Sequence, residues 1–207
     1  GDIMEVWLDN RDNLAELSSY DTDCIDCVIQ SIEETAKLDL PLITIDGKSL
    51  IQSGKVVGEI IKIDGSEGQN KARSLVGSVS WLLLEFENWS MIPIENIIAA
   101  CAGSPTKVAA LLRSPAEAQG AAFALEIGVD ALVVIPDQLM IDSASIAKSQ
   151  RGEVVENTNV MKDNEEIKLQ PLLITNIESG GLSDRYCIDL TSLLEVGEGM
   201  LIGSSSS

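Results

Sequence analysis

Histidine is absent from this chain, and only 3% of its 207 residues are aromatic. The absence of histidine removes the commonest general base and the commonest neutral metal ligand. Basic residues are also few, because 14 Lys and Arg stand against 33 Asp and Glu, which gives a formal net charge of −19. This balance argues against nucleic acid and against an anionic membrane surface as partners, since both need clustered Lys and Arg.

Long apolar runs are missing as well. No stretch reaches the ~18 apolar residues of a membrane span, and the richest one, 121–136, is interrupted by Glu126 and Asp130. The first residues lack a positive segment followed by an apolar one, so we expect no signal peptide and no membrane insertion. The 45% of hydrophobic residues is nevertheless enough for the core of one large domain, alone or with a small appendage.

The four cysteines are Cys24, Cys27, Cys101 and Cys187. The first two have the spacing of half a zinc or redox site, but neither of the other two has a close cysteine neighbour. Cys24 and Cys27 also lie in an apolar run that predicts a strand, where an offset of three places side chains on opposite faces. We therefore predict reduced thiols and no metal, as expected in an intracellular compartment. A four-cysteine metal protein is the weaker alternative.

Short apolar runs alternate with helical stretches along the first 140 residues. The runs 81–86, 108–112 and 131–135 are apolar apart from Glu85, which is typical of strands buried on both faces. Two amphipathic helices are predicted between them, and the second begins with a capping box at 114–117. The pattern predicts an α/β fold with a mainly parallel βα-repeat sheet. With about six such strands, we expect an open sheet or an incomplete barrel rather than a closed eight-stranded one.

The character of the sequence changes after about residue 140. We predict a parallel α/β domain over 1–148, and a linker or mobile loop over 149–166, because that stretch is polar, acidic and without periodicity. A small β-rich segment is expected over 167–207. It ends in a serine tail directly after a predicted strand, and we expect this segment to be truncated.

Two groups of charged residues are candidates for chemistry. Glu85 and Glu87 lie at the carboxyl end of a predicted buried strand, where parallel α/β folds bind ligands, and either is a candidate general acid, general base or ribose clamp. Asp184 and Arg185 lie at the start of a predicted strand. Arg185 is a candidate for binding a carboxylate or phosphate with two hydrogen bonds, and Asp184 or Asp189 is a candidate base or ligand-orienting group. The alternatives are an ordinary solvated loop for the first group and an ion-paired edge strand for the second.

A glycine-rich segment near the end of the chain is a candidate for holding phosphate through backbone N–H groups. It does not open a helix after a strand, so it is not the dinucleotide fingerprint. The candidate cofactor-binding residues are Gly197, Glu198, Gly199, Gly203 and Ser204.

Three segments together resemble the archaeal-type 3-dehydroquinate synthases, also called dehydroquinate synthase II, a family with plant and algal homologues. Residues 88–99, Asn-Trp-Ser-Met-Ile-Pro-Ile-Glu-Asn-Ile-Ile-Ala, resemble its W-x-x-I-P-x-E-N-x-I-A stretch. Residues 183–189, Ser-Asp-Arg-Tyr-Cys-Ile-Asp, resemble its G-D-R-V-C-V-D segment, and 192–204 resemble its S-L-M-x-P-G-E-G-M-L-V-G-S segment. The three follow one another in the same order as in the family.

The resemblance implies an enzyme of aromatic amino-acid biosynthesis. It would convert an amino-dideoxy-heptulosonate into 3-dehydroquinate by NAD-dependent oxidative deamination and ring closure, in the cytoplasm or the plastid stroma. NAD is thus the implied cofactor, and a small-molecule substrate is the implied partner. A homo-oligomer or a larger protein assembly is a further expectation. The alternative is a non-catalytic subunit derived from this family.

If the protein is such an enzyme, the matching segments should share one site. We expect Asp184, Arg185, Glu198 and Gly199 to converge with Glu85 and Glu87 at the carboxyl ends of the parallel strands.

Overall fold

The computed structural model describes residues 3–12, 17–31, 40–89 and 91–162. The chain divides into two units, Gly1–Asn164 and Glu165–Ser207, and every described residue lies in the first. The predicted β-rich segment 167–207 therefore lies outside the described residues. The domain boundaries at 148 and 166 stay a prediction.

Eight strands form a closed barrel in which each strand pairs with its sequence neighbour and the last pairs with the first. Four α-helices accompany the strands in the described ranges. The strands are β1 (Glu5–Asp9), β2 (Cys27–Ser31), β3 (Leu42–Asp46), β4 (Ser49–Gln52), β5 (Lys55–Ile63), β6 (Trp81–Phe86), β7 (Lys107–Leu111) and β8 (Ala131–Val134). The helices are α1 (Ser66–Leu75), α2 (Met91–Cys101), α3 (Ala116–Phe123) and α4 (Gln138–Lys162).

The sheet is parallel except around β4, which pairs antiparallel with both β3 and β5. The prediction that β6, β7 and β8 are parallel interior strands is confirmed, because β6 pairs parallel with β7 and β7 with β8. Burial supports it, since all four residues of β8 are buried. The α/β class and the mainly parallel sheet are confirmed with it.

The expected strand number and the incomplete barrel are wrong. The sheet closes because β1 pairs parallel with β8, with Trp7 opposite Val133. The strand that the sequence concealed is β4, which has only Leu50 and Ile51 as apolar residues and lies between two tight turns. The turn residues Gly47, Ser53 and Gly54 have positive φ, as short hairpin turns require.

The inside of the barrel is a compact apolar core. Side chains of every second residue along the strands point inward, among them Trp7, Ile29, Leu83 and Val133. The Trp7 ring is 1% exposed and meets the Trp81 ring edge to face, with the ring centroids 4.5 Å apart. A second, larger cluster lies between the outer face of the strands and the helices.

One glycine is required by the closeness of two strands. Gly58 of β5 stands opposite Trp81 of β6, and a Cβ atom at Gly58 would overlap the carbonyl oxygen of Trp81. The absence of a side chain therefore lets β5 follow β6 closely at this point.

The segment 149–166 is helical up to Lys162 rather than a linker loop over that stretch, because α4 continues into it. The buried face of α4, with Ala144 and Ala147, fixes its first turns on the barrel, and Lys, Arg, Gln and Glu are good helix formers beyond them. Two side chains hold the helix in place: Lys148 Nζ donates to Asp26 Oδ2 at 2.6 Å, and Arg151 Nη1 donates to the Ala122 carbonyl oxygen at 2.5 Å.

Cys24 and Cys27 lie on opposite sides of the sheet. Cys27 is buried in the barrel interior, while Cys24 precedes β2 and packs against the outer core. Cys24, Cys27 and Cys101 are free thiols, and Cys187 lies outside the described residues. Burial raises the pKa of Cys27 to about 12 and that of Cys101 to about 11.

The raised thiol pKa of Cys27 predicts a loss of stability at high pH. The native state keeps the Cys27 proton up to about pH 12, whereas an unfolded thiol loses it near pH ~8.5. Stability therefore falls as pH rises between these values, by at most about 1.4 kcal/mol per pH unit. We expect urea unfolding to show this fall from pH 9 to 11 and the fall to be smaller in Cys27→Ala. An identical pH dependence in the variant would contradict the assignment to Cys27.

Candidate functional site

Inward-facing side chains are apolar along β5 and β6 and become charged at the carboxyl ends of these strands. On β6 the inward-facing Trp81 and Leu83 are followed by Glu85, and on β5 the inward-facing Ile60 is followed by Lys62. Lys62 and Glu85 are register partners across the parallel strands, so both point toward the mouth of the barrel. The mouth is therefore where the apolar interior gives way to ionisable groups.

A cavity of about 430 Å³ opens at this mouth. Its size lies within the ~300–1,000 Å³ of small-ligand sites. The lining comprises three carboxylates and two cations: Lys62, Asp64, Glu85, Glu87 and Arg113. All five come from the carboxyl ends of β5, β6 and β7 or the residues just after them, the end at which parallel α/β barrels bind ligands.

Arg113 spans the gap between β7 and β6. Its Nη2 donates to Glu85 Oε1 at 3.2 Å, while its side chain as a whole is 57% exposed. The backbone of Arg113 is fixed, because its N–H donates to Glu117 Oε2 at 2.8 Å. The predicted capping box at 114–117 is thus altered: α3 has no side-chain cap, and the Glu117 carboxylate reaches back to Arg113 instead.

A second arginine lies after β1. Arg11 Nε and Nη2 donate to the two carboxylate oxygens of Asp9 at 2.8 and 2.7 Å. This hydrogen-bonded fork raises the pKa of Arg11, with a further contribution from the charge of Glu85. Arg11 therefore adds a fixed positive charge to the electrostatic surroundings of Glu85.

The loop after β6 is held by an aromatic pair. Trp89 packs on Phe86 with ring centroids 5.1 Å apart, and the Glu87 N–H donates to the Ile63 carbonyl oxygen at 3.5 Å. Trp89 thus anchors the loop that carries Glu87 and does not line the cavity.

The structure brings together Glu85 and Glu87 of the residues predicted from the sequence. The others lie outside the described residues: Asp184, Arg185, Gly197, Glu198, Gly199, Gly203 and Ser204. Their predicted convergence with Glu85 and Glu87 stays a prediction.

Sequence reasoning missed Lys62, Asp64 and Arg113. The signal was present, since Asp64 follows the predicted strand 56–63 directly and Arg113 follows 108–112. Ligands bind at the carboxyl ends of parallel strands, so Asp64 and Arg113 qualify on the same ground as Glu87, and Lys62 is the next-to-last residue of the predicted strand 56–63.

Within the described ranges, no three His, Cys, Asp or Glu side chains are grouped so that they could hold a metal ion. In the same ranges, no helix combines the length and apolarity needed to cross a membrane.

Two family models match the chain. The 3-dehydroquinate synthase II N-terminal domain matches residues 6–149, which include the whole barrel from Val6 onward, and the 3-dehydroquinate synthase II C-terminal domain matches residues 171–207. The first match covers more than half of the chain and contains all five cavity-lining residues.

Curated relatives named 3-dehydroquinate synthase occur in several archaea. The protein of Methanocorpusculum labreanum is 37% identical over 162 residues, which are 78% of this chain and 44% of that protein. The protein of Methanococcus vannielii is 33% identical over 205 residues, 97% of this chain and 52% of that protein. This chain thus spans about half the length of the curated relatives it matches. These relatives are archaeal and give no support to the plastid stroma as its location. Domain matches and relatives agree that the chain belongs to the 3-dehydroquinate synthase II family.

Proposed function

We propose that the protein is the barrel-bearing part of a 3-dehydroquinate synthase. In this proposal it takes an amino-dideoxy-heptulosonate through NAD-dependent oxidative deamination and ring closure to 3-dehydroquinate. The name carried by the relatives supports the product. The amino-dideoxy-heptulosonate substrate and the NAD-dependent deamination and ring closure are what we propose.

One observation supports this substrate class above others: the mixed charge of the cavity. A substrate of this kind carries an amino group and a carboxylate, and the lining offers both signs, with Lys62 and Arg113 among Asp64, Glu85 and Glu87. The carboxylates suit an ammonium group and the cations suit the carboxylate. A cavity of one sign would attract one end of such a molecule and repel the other.

Glu85 and Glu87 are the proposed general acid and base. Deamination and ring closure both require protons to move at the substrate, and the described cavity offers carboxylates that can take up and release them. Glu85 is the better placed of the two, because it is 21% exposed and faces the barrel mouth, whereas Glu87 lies beyond the strand end and is exposed.

NAD, when bound, would accept the hydride that the oxidation releases. A dinucleotide needs donors for its phosphates, and the described residues offer such donors in Lys62 and Arg113 at the cavity. The residues therefore fit one phosphate or one carboxylate at this place. The glycine-rich segment 197–204 is the other proposed phosphate-binding element.

The test is an assay of the full-length protein with the amino-dideoxy-heptulosonate, followed by chromatographic detection of 3-dehydroquinate. We expect product only when NAD is added, and none from the seven-carbon phosphate that the classical bacterial enzyme uses. A folded full-length protein that forms no product with NAD would contradict the proposal and favour the non-catalytic subunit.

A further inference from the structure

Glu85 stands between two cations on neighbouring strands. On β5 its register partner is Lys62, and on β7 its register partner is Leu111, two residues before Arg113. Lys62 and Arg113 therefore flank the same carboxylate at the barrel mouth, and all three line the cavity.

The two arginine–carboxylate pairs at this mouth differ in strength. Arg11 makes two side-chain hydrogen bonds to Asp9, whose side chain is 9% exposed. Arg113 makes a single contact of 3.2 Å to Glu85 and is 57% exposed. Bidentate pairs are strong and directional, whereas exposed single contacts contribute little. The Arg113–Glu85 contact is therefore the weaker of the two.

Donors remain available around that contact. A guanidinium carries five N–H donors, and within the described residues the only side-chain acceptor that the Arg113 guanidinium contacts is Glu85. Beyond the backbone pairing of β5 with β6, the Lys62 side chain makes no hydrogen bond or ion pair with any residue in the described ranges. Two cations with spare donors face one cavity.

We propose that Lys62 and Arg113 form a subsite for a carboxylate or phosphate group, and that Glu85 is an internal competitor for Arg113. Binding of the anion exchanges the Glu85 carboxylate for the ligand oxygen on Arg113 and leaves Glu85 free at the cavity. The inference rests on the proposed function in taking this cavity as the place where the ligand binds.

This arrangement predicts an unusual sign for a substitution. Neutralising a charged residue in a binding site ordinarily weakens binding, but here the carboxylate competes for the cation and repels the incoming anion. Glu85→Gln keeps the size of the side chain and removes both effects. The variant should therefore bind anions more tightly than the unchanged protein does.

The experiment measures binding of malonate and of pyrophosphate to the full-length protein by calorimetry at low salt. We expect Glu85→Gln to raise the affinity for at least one of them about tenfold. A larger gain for malonate identifies a carboxylate subsite, and a larger gain for pyrophosphate identifies a phosphate subsite. Unchanged or lower affinity for both would overturn the inference.

Two controls separate local competition from general charge. Glu59→Gln removes a carboxylate from the same barrel, at a place where its partner is Lys71 of α1 at 3.7 Å, and should leave anion affinity unchanged. In an Arg113→Ala background, Glu85→Gln should give a much smaller gain. An equal gain from Glu59→Gln, or an undiminished gain without Arg113, would overturn the inference.

These measurements do not need turnover. If the protein is inactive but its Glu85→Gln variant gains affinity for the anion, the subsite is supported and the proposed reaction is contradicted. If the protein is active but the variant gains no affinity, the reaction is supported and the subsite is contradicted. Circular dichroism of each variant establishes that it is folded.

Discussion

Glu85→Gln is expected to lower the turnover number of the full-length enzyme by about 10²- to 10⁴-fold, the usual range for loss of a general acid or base. The amide has nearly the same shape as the carboxylate but cannot take up or release the proton. Because Arg113 is then free for an anionic ligand, we expect the KM for the substrate to stay the same or fall. Steady-state kinetics of the variant with NAD in excess would measure both constants.

The matched control is again Glu59→Gln, since Glu59 lies on β5, the strand beside β6, and pairs with Lys71 away from the cavity. Its turnover number should match that of the unchanged enzyme. If Glu85→Gln retained turnover within about threefold, proton transfer by Glu85 would be wrong, and Glu87 would become the stronger candidate.

Trp7→Ala is expected to cost about 3–5 kcal/mol of unfolding free energy, the range for removing a large buried aromatic side chain. Trp7 is 1% exposed inside the barrel and contacts Trp81 across it. The eight strands surround the Trp7 side chain. They cannot close the cavity that the substitution leaves without disrupting the hydrogen bonds between paired strands. Urea unfolding followed by far-ultraviolet circular dichroism would measure the loss.

Trp89→Ala is the comparison for Trp7→Ala, because it removes the same side chain from a partly buried place outside the barrel, against Phe86. Its loss of unfolding free energy should be clearly smaller. Equal losses in the two variants would mean that the barrel interior tolerates the missing ring.

The sequence by itself determined the alternation of strands and helices and the parallel sheet. The runs 81–86, 108–112 and 131–135 are apolar on both faces apart from Glu85 near a strand end, and a strand with that pattern must be covered on both sides, which leaves few architectures. It also located Glu85 and Glu87, because the residue after a buried parallel strand faces the ligand-binding edge.

Only the tertiary structure determined that the barrel closes and which residues line the cavity together. Closure depends on pairing between β1 and β8 and on the two hairpins around β4, whose two apolar residues carry almost no local signal. The cavity depends on closure, since only the barrel's register places Lys62 of β5 and Arg113 beyond β7 on either side of Glu85. Residues separated by dozens of positions become neighbours through strand order, and no local pattern in a single sequence encodes that order.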